Sequence, residues 1–168
     1  MLFNSIPFII FLSIYISSIY FFKTKWKIIT IFFSIFFYAY WNVYFCFLLL
    51  SEALFTWFIG YSIQANITHR KKYLILGMVL PLIILFIFKY FNFFISDIFR
   101  VDLQNSIFTR IILPIGISFY TFQAIMYVVD VYKNKLEKIN LKDFLVFFLF
   151  FPNLIAGPLV RPNSFIPQ

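Results

Sequence analysis

LPIGISFYTFQAIMYVVDVY at 113–132 and FFPNLIAGPLVR at 150–161 decide how this chain is read. In the first stretch Gly116, Tyr120, Gln123, Tyr127 and Asp130 recur at intervals of four, three, four and three. A helix gathers residues so spaced on one face of an otherwise apolar segment. In the second, Pro152, Gly157 and Pro158 interrupt an apolar run just before Arg161, where a simple anchor would stay helical. Membranes admit irregular backbone only where protein or a wet cavity satisfies the freed polar groups. Together the two stretches predict a membrane protein that builds an internal site.

Composition points the same way. The 168 residues are 63% hydrophobic, 25% aromatic and only 12% charged, with a mean hydropathy of +0.94. A soluble domain carries about twice that share of charge, and one of this size cannot bury so much apolar side chain. The net charge of +8 comes from basic residues in short loops between apolar runs. That distribution fits the positive-inside rule and argues against a nucleic-acid partner. Cys46 is the single cysteine and stands in an apolar run with no CxxC context, so an intrachain disulfide and a cysteine zinc site are excluded.

About 20 apolar residues cross a bilayer. Residues 2–22 form a first uncharged run, followed rather than preceded by Lys23, Lys25 and Lys27, the reverse of a secretory signal peptide. Residues 28–68 are too long for one crossing, and Trp41–Asn42–Val43 offers a turn between spans 28–40 and 44–65. Spans at 73–94 and 111–132 follow, then a broken segment at 144–160. Lys plus Arg in the successive loops number three, none, three, two and four, alternating as the positive-inside rule requires. The predicted fold is therefore all-α: one polytopic integral membrane helical bundle over 1–168, with about five spans and a broken or re-entrant sixth segment. Its N-terminus is expected outside the cell membrane, with 23–27, 69–72 and 133–143 cytoplasmic. On that topology the sequon Asn66–Ile67–Thr68 faces the cytoplasm and carries no meaning.

Ionisable and polar residues inside spans are candidates for function. Gln123 falls near mid-membrane, where its amide needs a partner on another helix or in water. It serves either as interhelical glue or as the wall of a polar cavity. Glu52 lies about 12 Å past Tyr44, poised either to pair with a basic group or to line a polar path. Tyr120, Gln123, Tyr127 and Glu52 are the substrate-cavity candidates, and Pro152, Gly157, Pro158 and Arg161 form the broken-helix motif. Lys89 reads as a snorkelling residue near a span end, and Asp130 as the partner of Lys133 in a surface ion pair. His69, the only histidine, stands beside Arg70, Lys71 and Lys72 with no acidic neighbour to orient it, so it is a poor base. No GxSxG, HExxH, GxGxxG or P-loop pattern is present. From these residues, no catalytic or metal-ligating residue is assigned.

Four blocks carry a resemblance: FYAYWNVYF at 37–45, FKYFNFF at 88–94, and the two stretches at 113–132 and 150–161. In order and spacing they resemble the membrane-bound O-acyltransferase family, in its bacterial alginate O-acetyltransferase-like branch. The resemblance implies transfer of an acyl group, acetyl in that branch, to hydroxyls of an extracytoplasmic polysaccharide or cell-wall glycan. It implies a cytoplasmic acyl donor (acyl-CoA or an acyl carrier) as substrate, no bound cofactor, and an extracytoplasmic acetyltransferase as a possible partner beside membrane lipid. It also implies an essential histidine on a later helix, which His69 does not match. The expectation is the N-terminal part of a longer scaffold in the bacterial cytoplasmic membrane, inactive alone. The alternative is a non-catalytic transport, export or accessory subunit that shares the broken-helix device.

Overall fold

The computed structural model describes residues 5–93, 112–136, 140–156 and Pro162. Every regular element among them is helical. In chain order these are α1 (Ile6–Phe21), a 3-10 turn (Lys23–Lys25), α2 (Trp26–Trp41), α3 (Val43–Ala65), a second 3-10 turn (Ile67–His69), α4 (Arg70–Phe93), α5 (Ile117–Tyr132), α6 (Leu141–Leu149) and α7 (Phe151–Ala156).

Two helical stretches are long and apolar enough to cross a membrane, Val43–Ala65 and Ile67–Tyr90, and the pair Ile6–Phe21 and Lys23–Trp41, bent by 109°, makes a third candidate. Helices α1, α2 and α5 have 16 residues each, about 24 Å of length. Helix α5 is shorter than the run at 111–132 because turn chemistry intervenes. At α5 the helix begins only at Ile117, since Gly116 adopts a left-handed φ of 76°, a conformation that suits glycine. Gly116 is therefore a cap outside α5 and does not belong to the polar face expected of it.

The break at Asn42 is where the sequence places it. Its backbone is extended (φ −161°, ψ 119°), and its side-chain Oδ1 accepts from the backbone N–H groups of Tyr44 at 2.9 Å and Phe45 at 3.3 Å. This is an N-cap that satisfies donors otherwise orphaned at the start of α3. At the far end of α5, Asn134 takes a left-handed φ of 55°. Asn134 N donates to Val131 O at 3.1 Å and Lys135 N to Asp130 O at 2.9 Å, the paired bonds of a Schellman motif. Arg70 completes this cap by donating from Nη2 to Tyr132 O at 2.8 Å, a cation at a helix C-terminus.

These caps also show which loops share an end of the bundle. Lys27 pairs with Asp143 at 2.6 Å, Arg70 donates to Asn134 Oδ1 at 2.6 Å, and Gln64 Nε2 donates to Leu136 O at 3.3 Å. The basic loops after α1, α3 and α5 therefore meet at one end. At the other end the Tyr38 hydroxyl, one turn before Asn42, donates to Ile115 O at 2.7 Å, and Lys89 Nζ reaches Ser118 Oγ at 3.4 Å. Helices α2 to α5 thus alternate in direction, as the alternation of basic loops predicts.

Helices α3, α4 and α5 form the centre of the bundle. Two glycines let them close. A Cβ at Gly60 would come within 2.5 Å of the Tyr127 ring, and one at Gly77 within 2.7 Å of Ile59 and 3.0 Å of Val128. Small residues are what bring helices together in lipid, where no hydrophobic force does it. Because Tyr127 is itself buried against Phe144 at 4.6 Å between ring centroids, it cannot swing aside. Gly60→Ala is expected to cost about 1–3 kcal/mol by overpacking, read as a lower SDS concentration at the unfolding midpoint.

Candidate functional site

The broken segment is built from both sides. Helix α6 is opened by Asn140, whose side chain accepts from Lys142 N at 3.3 Å, and it ends at Leu149. Phe150 leaves helical geometry (φ −55°, ψ 105°) and α7 begins at Phe151. The break thus falls two residues before Pro152. Pro152 occupies the first turn of α7, where a missing N–H is no loss, while its ring forbids α6 from running straight on.

In an unbroken helix Phe151 N–H would bond Phe147 O. Here the two groups part, and each finds a side chain from elsewhere. Gln123 Nε2, on α5, donates to Phe147 O at 3.1 Å. Ser34 Oγ, on α2, accepts from Phe151 N at 3.3 Å. The backbone groups freed at the break are thereby satisfied by protein, as irregular backbone inside a membrane would have to be. The Phe151 ring is 1% exposed and is held edge-on by Phe11 and Tyr15, both at 5.3 Å, with Phe37 at 5.4 Å.

Ser34 belongs to a stripe that sequence reading passes over. Thr30, Ser34 and Tyr38 recur every four residues along α2 and all are buried. Thr30 shares a hydrogen bond with Tyr15 at 3.1 Å, Ser34 holds Phe151, and Tyr38 holds Ile115. The same test of periodicity that marks α5 would have found them. Their small size and the dominance of phenylalanine around them mask the pattern.

A second polar group lies between α3 and α5. Glu52 is 3% exposed and Tyr120 is fully buried. Both carboxyl oxygens of Glu52, the hydroxyls of Thr56 and Thr121, and that of Tyr120 are buried without a hydrogen-bond partner among the described residues. Tyr38 and Tyr120 lie within electrostatic reach of Glu52 and of each other. Glu52 and Thr56 stand one turn apart on α3, and the Gly60–Tyr127 contact sets the register that brings Tyr120 beside them.

The four cavity candidates therefore divide. Gln123 Nε2 bonds Phe147 O, and Tyr127 packs against Gly60 and Phe144. Glu52 retains unused hydrogen-bonding capacity on both carboxyl oxygens, and Tyr120 lies beside it with its hydroxyl near that of Tyr38. Asp130 is buried on α5 and does not pair with the exposed Lys133, since the Lys27–Asp143 bridge is the ion pair found among the described residues. His69 is exposed in the second 3-10 turn. Gly157, Pro158 and Arg161 lie outside the described residues. No group of three or more His, Cys, Asp or Glu suited to a metal ion occurs among the described residues.

No protein-family model matches this chain, and no solved structure matches it. Curated relatives do. A probable alginate O-acetylase, AlgI of Pseudomonas aeruginosa, is 41% identical over 140 residues, covering 79% of this chain and 27% of that protein. The peptidoglycan O-acetyltransferase of Helicobacter pylori is 32% identical over 163 residues, covering 80% of this chain and 31% of its own length. The chain is homologous to these membrane-bound O-acyltransferases. A probable alginate O-acetylase of Pseudomonas fluorescens matches across 100% of the chain at 34% identity and 33% of its own length. The homologue described here thus spans about a third of the length of the curated relatives it matches. Its homology to the alginate O-acetylases agrees with the resemblance carried by the four sequence blocks.

Proposed function

We propose that this chain forms the leading part of a membrane-bound O-acyltransferase that moves an acyl group, acetyl by analogy with the relatives, onto hydroxyls of an extracytoplasmic polysaccharide or cell-wall glycan. The observation that carries this is homology to O-acetylases over the whole chain, joined to a broken helix whose freed backbone groups are held by α2 and α5. In this reading α1 to α5 are five crossings and α6–α7 enter the membrane as a broken sixth segment. The basic end faces the cytoplasm, where an acyl-CoA or acyl carrier delivers the donor group, and the N-terminus faces outward. An extracytoplasmic acetyltransferase and the glycan acceptor are the partners on the other side. Glu52, with its free hydrogen-bonding capacity, and Tyr120 beside it are the residues of this part that would meet a polar occupant. Gln123 and Tyr127 hold the wall behind them.

The test is acyl incorporation into exported polysaccharide or peptidoglycan at matched membrane expression. Residues 1–168 joined to the remaining length of a relative should transfer, and residues 1–168 alone should not. His69→Ala should leave transfer within about twofold, because an exposed residue beside like charges supplies no oriented base. Robust transfer by residues 1–168 alone, lost on His69→Ala, would overturn the reading. Export of unacylated polymer that depends on the chain would favour an accessory role.

Orientation is tested by cysteine labelling from outside the cell in a Cys46→Ser background. Position 42 should label and position 71 should not, since short Lys/Arg-rich loops are retained inside. Strong outside labelling at 71 would invert the bundle.

A further inference from the structure

We propose that the basic end of the bundle is a docking surface for the phosphate headgroups of anionic lipids. The inference needs the chain to be embedded in a membrane and does not depend on acyl transfer. Three segments far apart in sequence are tied into one surface by the Lys27–Asp143 bridge and by the bonds from Arg70 to Tyr132 and Asn134 and from Gln64 to Leu136. Lys23, Lys25, Lys71, Lys72, Lys133, Lys135 and Lys142 are exposed there. Among the described residues Asp143 is consumed by Lys27, and Asp130 and Glu52 are buried; in the sequence of the 133–143 loop the single Glu137 is outnumbered by Lys133, Lys135, Lys138 and Lys142. Charges of one sign gathered this closely raise the local concentration of anions.

The neighbours of these lysines select the form of the anion. Tyr20, Phe21 and Phe22 are 69%, 76% and 61% exposed immediately before Lys23. The Lys23 ammonium lies 5.5 Å from the Tyr20 ring centroid and that of Lys27 lies 5.6 Å from the ring of Trp26. Aromatic side chains with cations beside them occupy the level where hydrocarbon gives way to headgroups. A phosphate that carries acyl chains satisfies both the lysines and the aromatic flank. A soluble polyanion satisfies only the lysines. At the opposite end Lys89 sits over Tyr90 at 5.5 Å, without a second exposed cation beside it among the described residues.

The test uses the purified chain in a neutral detergent, titrated with phosphatidylglycerol or phosphatidylcholine of the same acyl chains and read by native mass spectrometry. Phosphatidylglycerol should bind about tenfold or more tightly, and the preference should shrink as salt rises. Lys71→Gln, Lys72→Gln and Lys133→Gln should each weaken it by about fivefold, the effect of one basic residue near a charged interface. Lys89→Gln should change nothing. Asp143→Asn, which frees Lys27, should strengthen binding. Far-UV circular dichroism keeps misfolded variants out of the comparison. Equal affinity for the two lipids, or a preference indifferent to salt and to the three lysines, would overturn the proposal. Displacement of phosphatidylglycerol by stoichiometric coenzyme A would overturn it too, assigning the surface to a soluble phosphate donor.

Discussion

Phe151→Ala is expected to destabilise the protein by about 3–5 kcal/mol, the range for deleting a buried phenylalanine and leaving a cavity. The reason is geometric. Phe151 opens α7, is 1% exposed, and sits between rings from α1 and α2 at 5.3–5.4 Å. Edge-on aromatic pairs add about 0.5–1.5 kcal/mol beyond the area they bury. The ring is the main apolar tie between α7 and the first two helices, since Phe11, Phe37 and Phe151 make a cluster of their own, apart from the core that holds α6. Loss of the ring should therefore free α7 while leaving α3 to α5 packed. SDS titration should show an early transition for Phe151→Ala that Phe151→Leu largely restores. A single late transition, unchanged from the parent, would show that the cluster does not hold α7.

Much of this arrangement is legible in the sequence, and the exceptions have physical causes. Asn42 is readable because a residue that caps a helix with its own side chain interrupts an apolar run too long for one crossing. The alternation of basic loops is readable because each loop is short and charged, and the structure brings the three rich ones to one end. The start of α5 is less so. Apolar periodicity runs back before Ile117, and the left-handed φ of Gly116 sets 112–116 apart from the helix. The partner of Gln123 could not be read at all. A backbone carbonyl looks the same at every residue, and Phe147 O is free only because α6 stops at Leu149. Ser34 escapes for the complementary reason, being a small hydroxyl on α2 whose task depends on a backbone N–H that comes 117 residues later. Pairings set by tertiary structure leave no local mark.

Those two side chains carry the last expected result, a non-additive one. Gln123→Leu and Ser34→Ala each leave one buried backbone group without a partner, at about 1–3 kcal/mol apiece. Made together, they should cost less than their sum only if the helix can heal. The orphans, Phe151 N–H and Phe147 O, are each other's natural i→i−4 partners. What stands in the way is Pro152, whose ring would strike Phe148 O in a straight helix, a penalty of about 3 kcal/mol. In the parent background the double variant should therefore stay close to additive. Adding Pro152→Ala should recover much of the lost stability by letting α6 and α7 fuse. Function should then separate from stability. In the joined enzyme the fused-helix triple variant should be stable and poor at transfer, because the segment after Phe150 points elsewhere. The double-mutant cycle, measured with and without Pro152, checks the energetics, and hydrogen exchange at Phe151 reports fusion directly. Full additivity in both backgrounds, or full transfer from a fused helix, would mean that the break is an accident of packing. Recovery confined to the Pro152→Ala background, with transfer lost, would establish that proline, serine and glutamine act together to hold the helix open.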